Sequence, residues 1–324
     1  MDNLTHSLVG ALLGQAGLKK KTGLAMPALI IGANLPDVDA ACFFWLEGQE
    51  HLGFRRGITH GPPALVLLPL ILAGLLWGYD RWQTKRGKRP EGRLPVHFGW
   101  LYALSFIGCL THPALDWLNV YGVRFLEPFS SQWFYGDTLF IIDVWLWALM
   151  GFATWFSLRR EKRGGDWMKT ARVAVAVSLA YIGMNGWISK GSAYAAHDLL
   201  IGVGVNDTEI IANPLPLIFW QREVIVGKDG YWGKFHDNPG NHDTITDLAN
   251  FCELNDVRLA EERRANPELD AFLFWTRAPF AERAEDGSVL LRDARFYDPR
   301  ARDRFSVALP DVKCEPLNQE HSGG

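Results

Sequence analysis

A histidine and an aspartate stand four residues apart in LTHPALDWLNVYG (110–122), where a long apolar run ends. In a helix, His112 and Asp116 at i and i+4 share one face and can reach one point. The chain repeats the theme. His6 opens the first apolar segment, NLPDVD carries Asp37 and Asp39, RRGITH carries His60, and YGDTLFIIDVW carries Asp137 and Asp143. In an extended stretch Asp37 and Asp39 point the same way, with Pro36 stiffening their approach. Imidazole and carboxylate together are ligands for zinc, manganese or iron. Three imidazoles and at least three carboxylates exceed the needs of one tetrahedral ion. They suit one or two divalent ions, zinc foremost, in a site where an ion activates water.

Each residue also has an ordinary reading. His6 and His60 can simply begin helices, and Asp37 and Asp39 can be turn or N-cap residues. Asp137 after Gly136 reads as a turn residue. Asp143, next to a Trp-rich helix, is a ligand or a partner that holds an imidazole. Arg55 and Arg56 are interfacial anchors or, beside a metal, holders of an anionic substrate group. His51, His97, His197, His236 and His242 have no such context and read as structural or surface residues.

Something must hold these groups, and the apolar runs are the candidates. The chain has 324 residues and a net charge of −3, so bulk electrostatics point to no nucleic-acid partner. A mean hydropathy of −0.03 averages two unlike parts. Residues 61–79, 94–111, 139–158 and 173–189 are nearly free of charge and close to the ~20 residues that span a bilayer core. Two shorter candidates, 4–18 and 22–36, precede them as short spans or a re-entrant pair. Fifteen Lys and Arg residues lie in the loops after the first, third and fifth runs, against only Arg55, Arg56 and Arg124 in the intervening loops. This bias predicts six spans, an N-terminus outside and a tail outside the cytoplasm. Trp100, Trp117, Trp133, Trp145, Trp147 and Trp187 fall near span ends, as an aromatic belt would. The opening MDNLTHSLVG lacks the basic start of a cleaved signal peptide.

With that topology every candidate His and Asp lands on the outer membrane face. Ionisable groups there are costly and face a protein interior or a watery cavity. They serve a hydrolase, conduct or bind a metal ion or protons, or anchor a scaffold by a structural metal. Conduction would require a path towards the other face, where only His97 lies. No H-E-x-x-H, phosphate-loop or dinucleotide fingerprint occurs.

NLTHSLVGALLGQAG, GANLPDVD, RRGITHG, THPALDWLNVYG and FYGDTLFIIDVW, in this order, resemble the YdjM-type inner-membrane proteins, described as membrane-bound metal-dependent hydrolases. The resemblance covers roughly residues 1–190. It implies a polytopic protein of a bacterial inner membrane, with His6, Asp37, Asp39, His60, His112, Asp116 and Asp143 as metal-site residues. PDVD and the His-bearing segments are also weakly similar to zinc-dependent phospholipase C domains. Membrane lipids are the expected surroundings, and a phosphoester or lipid headgroup is the expected substrate class.

The tail reads differently. Residues 207–236 alternate apolar and polar residues around the turn signals NP and KDG, which predicts strands and a hairpin. Residues 246–277 look helical, and 286–309 look like two strands. The predicted architecture is therefore an α-helical polytopic membrane domain of about six spans (1–190), the first two short, followed by a small α+β extracytoplasmic domain (200–315) and a disordered 316–324. Among the four cysteines none form a C-x-x-C pair, and Cys252 and Cys314 can pair if the tail is in an oxidising compartment.

Overall fold

The computed structural model describes residues 1–236, 245–248, 251–253 and 256–316, so His242 and the expected tail from 317 lie outside the described residues. The chain divides into two compact units. The first takes residues 1–40, 56–188 and 214–221, and the second takes 41–55, 189–213 and 222–324. The stretches 41–55 and 214–221 thus fall in a different unit from the one a single cut near 190–200 would give them.

In the first unit, Asp2 starts α1 (Asn3–Gln15) by accepting from the backbone N–H groups of Leu4 and Thr5, which have no helical partner of their own. The 13 residues of α1 reach only about 20 Å at ~1.5 Å per residue, well short of a ~30 Å bilayer core. α2 (Ala25–Gly32) is shorter still and meets the 3-10 segment Leu35–Phe44 at a bend of 50°. Along the chain next come α3 (Glu50–Phe54) of the second unit, a 3-10 turn at Ile58–His60, α4 (Pro62–Lys85), α5 (Phe98–Trp117), α6 (Val144–Lys162) and α7 (Met168–Gly202), whose residues from 189 fall in the second unit. Helices α4, α5 and α7 are long and apolar enough to cross a membrane, and α2 with its 3-10 continuation makes a fourth if the bent pair is one span. The apolar run at 139–158 does not become such a helix. Asp143 caps it at residue 144, and its last turn carries Arg159, Arg160 and Lys162.

Glycines let the helices that matter approach closely. α5 packs on α2 and α4, and α1 packs on α2 and α6. A Cβ on Gly108 of α5 would lie 2.6 Å from the Leu29 carbonyl of α2, and one on Gly32 of α2 would lie 2.7 Å from the Ser105 carbonyl of α5. Backbone-to-backbone approach through small residues is how helices associate where lipid offers no hydrophobic drive. Leu29, Leu72, Leu101 and Leu104 fill the seam between α2, α4 and α5.

The second unit contains a small sheet domain. Strands β1 (Glu209–Pro214), β2 (Arg222–Lys228), β3 (Tyr231–Phe235) and β4 (Ile245–Asp247) form one sheet in that order. Lys228 faces Tyr231 across a two-residue turn in which Asp229 and Gly230 both take positive φ, the KDG hairpin of the sequence. β5 (Cys252–Glu253), α8 (Asp256–Ala265), α9 (Pro267–Trp275), β6 (Pro279–Arg283), β7 (Ser288–Asp293), β8 (Ser306–Lys313) and β9 (Glu315–Pro316) follow. β6, β7 and β8 form an antiparallel sheet, and the β5–β9 pair is closed by a Cys252–Cys314 disulfide. The helical reading of 246–277 is corrected here. Two short strands open that stretch, and Asn266 with Pro267 starts a second helix, its Oδ1 accepting from the Leu269 N–H at 3.1 Å.

Gly108→Val should separate α5 from α2. We expect a melting temperature in detergent lower by several degrees, for about 1–3 kcal/mol of overpacking. Gly74→Ala on α4, where a Cβ meets nothing within 4 Å, should leave it unchanged.

Candidate metal centre

Four segments of the first unit meet at one point. α1 brings His6, the 3-10 segment after α2 brings Asp37, the turn before α4 brings His60, and the last turns of α5 bring His112 and Asp116. Their ligand atoms form two groups, His6–Asp37–His112 and His60–His112–Asp116, each with all atoms within 4.8 Å of one another. His112 belongs to both. Its Nε2 lies 3.6 Å from Asp37 Oδ1 and 3.6 Å from Asp116 Oδ2, while His60 Nε2 lies 3.4 Å from Asp116 Oδ2 and His6 Nε2 3.4 Å from Asp116 Oδ1. The His6 and His112 rings stack with centroids 3.8 Å apart. The Met1 amino group also pairs with Asp116 Oδ1.

These residues suit a cation. His6 Nε2, His60 Nε2 and His112 Nε2 are buried, converge on Asp116, and make no hydrogen bond. Leaving so many buried polar atoms without partners is costly. Nε2 atoms facing one another across the cluster, presented inwards as lone-pair nitrogens, are the state that a cation would use.

The surroundings select that state. His112 Nδ1 donates to the Ala33 carbonyl at 2.7 Å, which leaves Nε2 as the lone-pair nitrogen. The Ala33 carbonyl is available because the helix breaks there: the Asp37 N–H turns back to Asn34 O, a 3-10 bond. At His60, Nδ1 lies 2.9 Å from Thr59 Oγ1, which in turn donates to Asp39 Oδ2 at 3.1 Å. Burial pushes the His60 pKa below the usual imidazole value and keeps the ring neutral.

The other predicted residues take different places. Asp39 is nearest to the back of His60, 3.7 Å from Nδ1, and accepts from the Arg56 N–H at 2.8 Å. It is in neither ligand group. Asp143 caps α6 through the N–H groups of Trp145 and Leu146 and accepts from Tyr181 Oη at 3.0 Å; it too is in neither group. Asp137 takes positive φ in an irregular stretch and is in neither group. Arg56 is buried, with Nε 3.0 Å from Asp116 Oδ2 and a terminal nitrogen donating to Asn119 Oδ1 at 3.1 Å. Arg55 belongs to the second unit, where it follows α3 and lies over Phe43. Thr59 is the supporting side chain that type and spacing did not single out for this work. Its signal is adjacency: it sits next to His60.

A family model described as "YdjM inner membrane protein" matches residues 1–191. No curated protein and no solved structure matches the chain.

Asp116→Asn and His112→Ala should each lower bound divalent metal at least tenfold, measured by elemental analysis of purified protein. Thr59→Ala should cost about 10–100-fold in metal affinity through the His60 ring. Asp143→Asn keeps a good capping oxygen and should retain metal.

Proposed function

The chain belongs to the YdjM inner membrane protein family, and on that premise we propose that it is a membrane-bound metal-dependent hydrolase, active at the outer membrane face on a phosphoester or lipid headgroup. The observation that carries the reading is the convergence on Asp116 of three imidazoles whose buried Nε2 atoms make no hydrogen bond. His6, Asp37, His60, His112 and Asp116 would hold one or two divalent ions, zinc before manganese or iron. Such an ion lowers the pKa of a water towards ~7 and stabilises charge developing on a displaced oxygen. The protein's own residues orient the rings, Ala33 that of His112 and Thr59 that of His60. Arg56 steadies Asp116 and adds a positive charge beside the site, where it would favour an anionic group. Asp37, with its side chain 12% exposed beside imidazoles at 0%, marks the side from which a substrate would enter.

A structural ion in a scaffold protein is the second reading, favoured by the complete burial of those imidazoles. Screening lipids and phosphoesters with metal-loaded protein separates the two. We expect hydrolysis that a chelator abolishes, that zinc restores, and that Asp116→Asn lacks. Bound metal without turnover of any phosphoester would leave the structural reading.

We also propose six spans, with α1, the bent α2 pair and α6 crossing alongside the three long helices, and the tail domain outside the cytoplasm. The basic-loop asymmetry supports this, as does the Cys252–Cys314 disulfide, a bond kept in oxidising compartments. Reporters fused after residue 20, near 88 and near 163 should report cytoplasm, and one after 200 the outside. A cytoplasmic tail would overturn this topology.

A further inference from the structure

The basic end of α6 carries a surface that the metal centre does not use. Phe152, Trp155, Phe156, Arg159, Arg160 and Arg163 line a cavity of about 620 Å³. Their spacing puts them on one helical face in sequence, aromatic first and cationic last. Phe152 is 63% exposed and Trp155 50%, so this part of the chain leaves the face uncovered. The rings of Phe152 and Phe156 stack at 5.9 Å. Guanidinium groups continue the ladder: Arg159 lies over Trp155 and Arg160 over Phe156. Among the described residues none of the three arginines has a carboxylate within ion-pair distance, and the cavity lining contains no acidic residue.

We propose that this face is a binding site for one anionic glycerophospholipid, its phosphodiester held by Arg159, Arg160 and Arg163 and its acyl chain lying on Phe152, Trp155 and Phe156. Dimensions favour a lipid over a free anion. Eleven residues separate the two ends of the ladder, about 16 Å along a helix, and one leaflet of hydrocarbon is about 15 Å deep. Charge favours an anionic headgroup over a zwitterionic one, because three cations face the phosphate with no carboxylate to share them. Guanidinium suits the task, since its planar fork pairs with phosphate oxygens and its face still rests on an aromatic ring. General attraction of basic loops to a membrane needs neither a cavity nor an aromatic floor. The proposal does not depend on the metal-centre reading, and chelated protein should bind lipid equally.

The test uses the full chain in detergent, with phosphatidylglycerol, phosphatidylcholine and inorganic phosphate as separate probes. Native mass spectrometry should show phosphatidylglycerol retained at least tenfold more than phosphatidylcholine, and no effect of phosphate. The triple variant Arg159→Gln, Arg160→Gln, Arg163→Gln should lose that preference, while Arg81→Gln with Arg86→Gln on α4 should keep it. Equal retention of the two lipids, or equal loss in both variants, would overturn the site. If the triple variant does not fold, brominated lipids decide with chain that is otherwise intact. Brominated phosphatidylglycerol should quench tryptophan fluorescence more than brominated phosphatidylcholine, and Trp155→Phe should remove the excess. An excess unaltered by Trp155→Phe would place the lipid elsewhere.

Discussion

The carboxylate of Asp116 is the point from which the rest of the helical unit can be understood. It is 1% exposed at the end of a helix apolar and long enough to cross a membrane. A charge in that position costs several kcal/mol unless compensated, and removing the compensation typically costs about 3–5 kcal/mol. Its compensating charges come from far along the chain: Arg56 on one oxygen and the Met1 amino group on the other. No local structure can supply them, so α1, the turn before α4 and the end of α5 must all arrive at one place. The fold of the first unit is the solution to that requirement.

Glycine and a broken helix make the arrival possible. Gly32 and Gly108 bring α2 against α5 at backbone distance, so the end of α2 lies beside the last turns of α5. The chain then bends by 50° instead of continuing as helix. Non-helical backbone is tolerated at membrane depth only where protein or water satisfies its polar groups. Here the break frees the Ala33 carbonyl, and His112 Nδ1 takes it up. One feature thus satisfies the backbone and sets the tautomer that presents Nε2 to the cluster.

The i, i+4 pair His112–Asp116 was legible in the sequence because both lie on one uninterrupted helix, where spacing alone fixes the shared face. His6, Asp37 and His60 were legible by type, but their convergence depends on tertiary packing that no local pattern encodes. Asp39 shows where reading by type stops. It lies two residues from Asp37 and chemically matches it, yet the 3-10 backbone of 35–44 is not an extended strand, so the two do not share a direction. Asp39 instead works through Thr59. Asp143 shows the competing role of helix capping: its position at the start of α6 is occupied by two backbone N–H groups and Tyr181. The run at 139–158 shows the same competition, since hydropathy does not register that a cap within the run delays the helix into a basic last turn. In the tail, the KDG hairpin was readable because a two-residue turn carries its own signature, whereas 246–277 mixes helix formers with strands set only by pairing to β3 and β9.

The closed state of the cluster bears on how it could work. The imidazoles have no exposure, and Arg56 seals one flank by bonding Asp116, Asn119 Oδ1 and the Gly122 carbonyl together. The guanidinium also lies over the Tyr121 ring at 4.4 Å, so its position is set on four sides. Positive charge this constrained strengthens the electrostatics of a dry site, because nothing must reorganise when charge develops nearby. Asp37 lies on the other flank, on the bent segment and partly exposed. The cluster is therefore asymmetric, with a rigid cationic wall behind Asp116 and an acidic, irregular edge at Asp37.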